Sequence, residues 1–240
     1  MAAIRDNMQA VSERIARAAA AAGRSADSVR LLAVSKTHPP ALLEEAFRAG
    51  QTAFGENYVQ EALDKMDTLA RLLGEQRARD VEWHLVGPLQ SNKTRLAAER
   101  FDWVHSLSST KVARRLSEQR SPGCAPLNVL IQVNCSGEAS KSGVAPGDAF
   151  ALAQAVAQLE RLKLRGLMAI PEPTRDAAVH RARFRAVREL YEQLRADGLA
   201  LDTLSLGMSD DLEAAIAEGS TLVRVGTAIF GTRRREKDAA

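Results

Sequence analysis

The chain has 240 residues, and 33 basic against 30 acidic side chains leave a formal net charge of +3. That balance is too even to argue for a nucleic-acid partner, and no apolar run is long enough to span a bilayer. Cys124 and Cys135 stand in no paired metal-ligand spacing beside only four histidines, so no metal site is expected. The two cysteines fit a reduced compartment better than a disulfide scaffold, and no basic-then-apolar leader opens the chain. The expectation is a cytoplasmic protein.

In chain order, Ile4, Met8, Val11 and Ile15 fall at helical spacing, and Gly23 suits the end of a helix within 1–23. Strand-like runs follow at 31–36, 52–57, 82–87, 103–107, 127–134, 164–170, 203–208 and 222–226. Helical patterns lie between them at 40–49, 59–73, 91–100, 110–119, 148–159 and 176–196, with a last one at 210–218. Eight strands alternating with helices predict a parallel sheet with right-handed crossovers. At this length the fold class is α/β, a single (β/α)8 TIM barrel over 1–240 with an extra N-terminal helix. An open doubly wound sheet would want glycines after its first strand, where this chain has Lys36-Thr37-His38-Pro39. The charged tail at 232–240 reads as a solvated terminus.

The pattern is organised around Arg30 to Pro40, RLLAVSKTHPP. With a period of two, Leu32, Val34 and Lys36 share a face. In a closed barrel that face is the interior, and its last residue sits at the C-terminal rim, where such barrels place their chemistry. A half-buried lysine there can form a Schiff base with an aldehyde; a lysine that ends a strand and reaches into water is the plainer alternative. Asn57, His84, Ser106, Asn134, Met168 and Ser209 stand at the other strand ends. Strand seven ends in Gly207-Met208-Ser209-Asp210-Asp211, where Ser209 is either a helix N-cap or part of a phosphate site. Strand eight ends in Arg224-Val225-Gly226-Thr227, and Gly226 lets a backbone approach phosphate oxygens. A phosphorylated aldehyde would bridge Lys36 and that cradle, and pyridoxal 5′-phosphate is the obvious one. Arg224 shares a face with Gly226. It either donates to the pyridine nitrogen or makes an internal ion pair.

These residues sit in longer blocks: AVSKTHP around Lys36, FGENYVQE from Phe54, WHLVGPLQSNK from Trp83 and VNCSGEASKSG from Val133. GLMAI from Gly166, GMSDDLEAAI from Gly207 and RVGTAIFG from Arg224 complete the series. Along nearly its whole length the chain resembles the YggS/PROSC-type pyridoxal phosphate homeostasis proteins. It departs from their pattern at Ser108, where Asp is common, and at Cys135, where an aliphatic residue is usual. The resemblance implies a fold-type III barrel with the cofactor on Lys36 and Ser209, Gly226 and Thr227 around the phosphate. It implies Arg224 at the pyridine nitrogen, with Asn57 and His84 lining the pocket. Its implied role is storage or delivery of pyridoxal phosphate to apo-enzymes that depend on it, by a monomer without significant turnover. The alternatives are a racemase or decarboxylase of the same fold type and, more weakly, a class I aldolase. A racemase needs a second acid/base opposite Lys36, and Tyr191 falls mid-helix on an apolar stripe.

Overall fold

The computed structural model describes residues 2–135, 142–174 and 176–232. The basic tail from Arg233 onward and Lys141 of the SGEASKSG block lie outside the described residues. Eight parallel strands close into one barrel in the order of the chain. They are β1 (Arg30–Val34), β2 (Ala53–Glu56), β3 (Glu82–Leu85), β4 (Trp103–Leu107), β5 (Leu127–Gln132), β6 (Leu162–Met168), β7 (Thr203–Ser205) and β8 (Leu222–Val225). Closure comes from β1 pairing with β8, with Leu32 opposite Arg224. The outer helices are α1 (Ala2–Ala21), α2 (Pro40–Arg48), α3 (Val59–Leu73), α4 (Glu75–Ala78), α5 (Thr94–Arg100), α6 (Thr110–Gln119) and α7 (Pro146–Ala157). After these come α8 (Ala177–Ala196), α9 (Leu212–Ala217) and α10 (Thr227–Phe230).

Local chemistry sets many of the boundaries. Pro40 and Pro146 occupy first helical positions, where a missing N–H costs nothing. Ser109 accepts from the Val112 amide to open α6, and Asp176 accepts from the Ala178 and Val179 amides to open α8. Several strands stop two or three residues short of the sequence expectation. Lys36, Asn57 and Gly87 therefore stand in turns above the ladder, not within it. The short helices α4 and α10 had no periodic signal to announce them, being one turn each.

The extra N-terminal helix is the largest addition. Ile4, Met8, Val11, Ile15 and Ala19 form its buried stripe. It packs against α9, α10 and α2, so it fills the gap between the helices that follow strands seven and one. Among the described residues the segment after β8 forms the single turn of α10, and α1 stands where an eighth full-length helix would otherwise lie. On the neighbouring side, Arg181, Arg185 and Arg188 of α8 converge on Glu218, the buried carboxylate at the end of α9.

The barrel interior is layered. Leu32, Ala53 and Leu222 form one apolar cluster, and Trp103, Leu130 and Met168 another. Between strands three and four the filling is polar. His84 and His105 are fully buried, with His84 Nδ1 2.9 Å from His105 Nε2. The His84 ring stacks on Trp103 with centroids 5.2 Å apart. Burial pulls both imidazoles below the usual histidine value of 6.5, His105 furthest. Below 6.5 the unfolded chain then binds protons that the folded one refuses. The stability contributed by these neutral rings is complete above 6.5 and is lost as pH falls toward the folded values. Urea unfolding at pH 7 and pH 5 should show a loss of stability in acid that is visibly smaller in His105→Asn. An equal loss in both proteins would place the acid sensitivity elsewhere.

Candidate functional site

The end of β1 behaves as its alternation requires. Leu32 faces the interior cluster, Ala33 packs outward among the helices, and Val34 and Lys36 line a cavity. The turn beyond Lys36 puts Thr37 at φ 65°, a left-handed conformation that a β-branched residue seldom adopts. Helix α3 holds that turn. The Thr37 amide donates to the Glu61 carboxylate, and Glu61 pairs with Lys65 Nζ at 2.7 Å. Lys65 also donates to the Ser35 carbonyl at 2.7 Å and to Glu56 at 2.9 and 3.1 Å, while Ser35 Oγ donates to Glu56 Oε1 at 2.6 Å. Glu56 is completely buried. Burial pushes its pKa up, and the Lys65 charge and the Ser35 hydrogen bond pull against that. Both neighbours of Lys36 are thus fixed by one ion cluster, in which buried Lys65 joins Glu56 and Glu61.

The cavity, about 340 Å³, opens at the C-terminal ends of the strands. That is toward the low end of the roughly 300–1,000 Å³ typical of small-molecule sites. Six of the sequence-predicted residues line it: Lys36, Asn57, Ser209, Arg224, Gly226 and Thr227. The other four do not; Asn134, also read as a strand end, lines a separate hollow with Cys135 and Pro146. His84 faces inward but one layer below Val86, the residue of its strand that reaches the cavity. Met168 is fully buried in the cluster with Trp103 and Leu130. The Ser106 hydroxyl is buried without a partner among the described residues, on a strand whose register shifts between Val104 and Leu107. That irregularity breaks the simple alternation on which its placement depended.

The loops after β7 and β8 face each other across one end of the cavity. Ser209 does not cap α9, which begins after Asp211; Asp211 Oδ1 instead accepts from the Met208 amide at 2.6 Å. Among the described residues, no group accepts from the backbone amides of Ser209, Asp210, Gly226 or Thr227. A Cβ on Gly226 would come within 2.8 Å of the Val34 carbonyl, so only glycine brings this backbone so close to β1. Unpaired amides beside two hydroxyls suit an anion with several acceptor oxygens.

Arg224 lines the same cavity. It is 3% exposed. Nη1 donates to the Ser205 carbonyl and hydroxyl at 2.6 and 2.7 Å, and Nη2 donates to the Ala169 carbonyl at 2.9 Å. Of its five N–H groups, two are left without a partner among the described residues. Burial draws its pKa down to about 10, with the Asp211 charge acting the other way, so it stays a cation at neutral pH. Among the described residues it makes no internal ion pair.

Amine, cationic donor and anion cradle are spaced within one small cavity, and this set fits a phosphorylated aromatic aldehyde. Val86, Gly87, Pro88, Gln132 and Asp210 are among the other wall residues, and were not singled out as functional from sequence. Gly87 carried a usable signal: a Cβ there would fall 2.2 Å from the Asn57 carbonyl, so the two loops can meet only at a glycine.

Residues 2–234 match the family model described as alanine racemase, N-terminal domain. A protein of Pseudomonas aeruginosa named pyridoxal phosphate homeostasis protein is 58% identical over 233 residues, covering 97% of each chain. The solved structure of PipY from Synechococcus elongatus with PLP bound is 38% identical, with a TM-score of 0.82 over 95% of this chain and all of that one. Alanine racemase from Corynebacterium glutamicum shares the fold, at 20% identity and a TM-score of 0.66, with this chain covering 61% of it. By these matches the chain belongs to the pyridoxal phosphate homeostasis proteins, within the alanine racemase N-terminal domain family.

Proposed function

We propose that the chain carries pyridoxal 5′-phosphate covalently on Lys36 and serves the homeostasis of that cofactor by storing and delivering it, with no significant turnover. The observation that carries this reading is the combination, in one cavity, of the Lys36 amine, the buried Arg224 cation and the unpaired amides after β7 and β8. The name of the Pseudomonas relative and the PLP-bound neighbour support it. The recipients are apo-enzymes that use the same cofactor, in the cytoplasm, with the carrier acting as a monomer. Cys124 and Cys135 form no disulfide among the described residues, which is consistent with a reducing compartment.

Each residue has a task. Lys36 supplies the amine that condenses with the aldehyde carbon, releasing water. Ser209, Thr227 and the amides around Gly226 bind the phosphate. Arg224 donates a hydrogen bond to the ring nitrogen, and Asn57 closes the side wall. The bound cofactor supplies a conjugated ring whose power as an electron sink depends on whether its nitrogen is protonated. A guanidinium is too weak an acid to provide that proton, so the ring on Arg224 is a poor sink for a substrate carbanion.

A racemase also needs a base on the far side of Lys36. Among the described residues no tyrosine reaches the cavity: Tyr58 is exposed outside it and Tyr191 is buried on α8. This argues for the carrier over the racemase or decarboxylase.

Two outcomes test the reading. Thr227→Val combined with Ser209→Ala removes two hydroxyls that meet a charged phosphate, each worth about 1.5–3 kcal/mol. Pyridoxal phosphate should bind at least tenfold more weakly by fluorescence titration while unphosphorylated pyridoxal is unaffected; equal weakening of both would mean damage to the fold. Second, the loaded protein, freed of unbound cofactor, should restore activity to an apo-enzyme that needs pyridoxal phosphate. It should leave L-amino acids unchanged in enantiomer and carboxyl group. Turnover at an enzymic rate, on the order of 1 s⁻¹ or faster, that disappears in Lys36→Ala would replace the carrier with an enzyme.

A further inference from the structure

A chain of hydrogen bonds crosses the barrel interior beneath the cavity. It begins at Arg224 Nη1, which donates to Ser205 Oγ at 2.7 Å. Ser205 Oγ is 3.1 Å from His105 Nδ1, His105 Nε2 is 2.9 Å from His84 Nδ1, and His84 Nε2 is 2.6 Å from Glu82 Oε1. Glu82 lies at the opposite end of the barrel, 33% exposed, where Arg30 Nη2 also donates to it at 3.0 Å. Four strands, β8, β7, β4 and β3, contribute one link or more each.

The direction of every bond follows from its two ends. A guanidinium only donates and an ionised carboxylate only accepts. Partial burial works against ionisation of Glu82, but the hydrogen bond from His84 and the hydrogen bond and charge of Arg30 hold its pKa down to about 2. With both imidazoles neutral, each carries one proton. Ser205 must then pass its hydrogen to His105 Nδ1, His105 must donate from Nε2, and His84 must donate from Nε2 to Glu82; the tautomers are assigned from these partners. All four bonds point one way, from cation to carboxylate. Bonds aligned head to tail polarise one another, most strongly in a low-dielectric interior. Arg224 has no carboxylate in salt-bridge contact among the described residues, and the chain gives it one at a distance.

We propose that Ser205, His105, His84 and Glu82 are positioning residues for Arg224: they connect its buried guanidinium to a remote counter-ion and hold its two remaining N–H groups toward the ring nitrogen of the ligand. The inference rests on the reading of the cavity as a pyridoxal phosphate site. Phosphate and aldehyde are held by other residues, so breaking the chain should weaken only the contact with the ring nitrogen.

The test compares pyridoxal 5′-phosphate with its analogue in which the ring nitrogen is replaced by C–H. Binding of each is titrated at pH 7.5 to wild type, Ser205→Ala, Ser205→Thr and Glu82→Gln. Ser205→Ala cuts the chain beside Arg224 yet leaves the Ser205 carbonyl bond, and should weaken pyridoxal phosphate about tenfold. Glu82→Gln keeps an acceptor for His84 and removes only the charge at the far end, and should weaken it by about threefold. Ser205→Thr should restore affinity, and no variant should change the analogue's affinity by more than about twofold. If Ser205→Ala does not fold, as judged by circular dichroism, Glu82→Gln carries the comparison. Equal losses for both ligands, or no loss for pyridoxal phosphate, would overturn the proposal. If wild type fails to prefer pyridoxal phosphate over the analogue, Arg224 does not meet the ring nitrogen, and the underlying reading falls with the inference.

Discussion

A guanidinium sealed inside a barrel is costly unless its charge and its N–H groups are answered. Arg224 meets that constraint with carbonyls and a hydroxyl, not with a contacting carboxylate. The consequence reaches the ligand. A neighbouring aspartate would have kept a pyridine ring cationic, whereas a permanently protonated donor can only hydrogen-bond to it. The same choice that makes the barrel interior polar makes the proposed cofactor electronically quiet.

The second fixed point is the end of β1. Lys36 is not itself rigid by nature, since a lysine side chain has four rotatable carbons. Its backbone is what the fold controls: Ser35 is held from one side by Lys65 and Glu56, and Thr37 from the other by Glu61. A buried pair of this kind contributes little net stability. Its effect is to keep Thr37 in a conformation it would otherwise leave, so that Lys36 faces the cavity and not the solvent. Removing Lys65 would leave the buried Glu56 carboxylate without a cation beside that turn.

Much of this was legible in the sequence, for a definite reason. Alternation along a strand is local, so Leu32, Val34 and Lys36 on β1 and Leu222, Arg224 and Gly226 on β8 could be assigned to the interior from spacing alone. The neighbouring of strands one and eight follows from closure. Depth along the barrel axis is another matter. His84 was read as a strand-end residue lining the pocket; whether such a residue stands at the rim or a layer beneath depends on stagger between strands. Ser106 sits where β4 shifts register, and a period-two count has no knowledge of such a shift. The bonds that join His105 to Ser205 and Ser205 to Arg224 connect residues 100 and 19 positions apart. No motif in either stretch announces them. The same holds for α1, whose stripe was plain while its seat between α9 and α2 was not.

The account stands on one covalent assignment, that the aldehyde is taken by the amine at the end of β1. The direct measurement is to load the protein with pyridoxal phosphate, reduce with borohydride, digest, and map the added pyridoxyl mass. A single labelled peptide carrying Lys36 and loss of the yellow absorbance band on reduction are expected. A label at Lys93 or Lys65, or a visible band undiminished in Lys36→Ala, would contradict it.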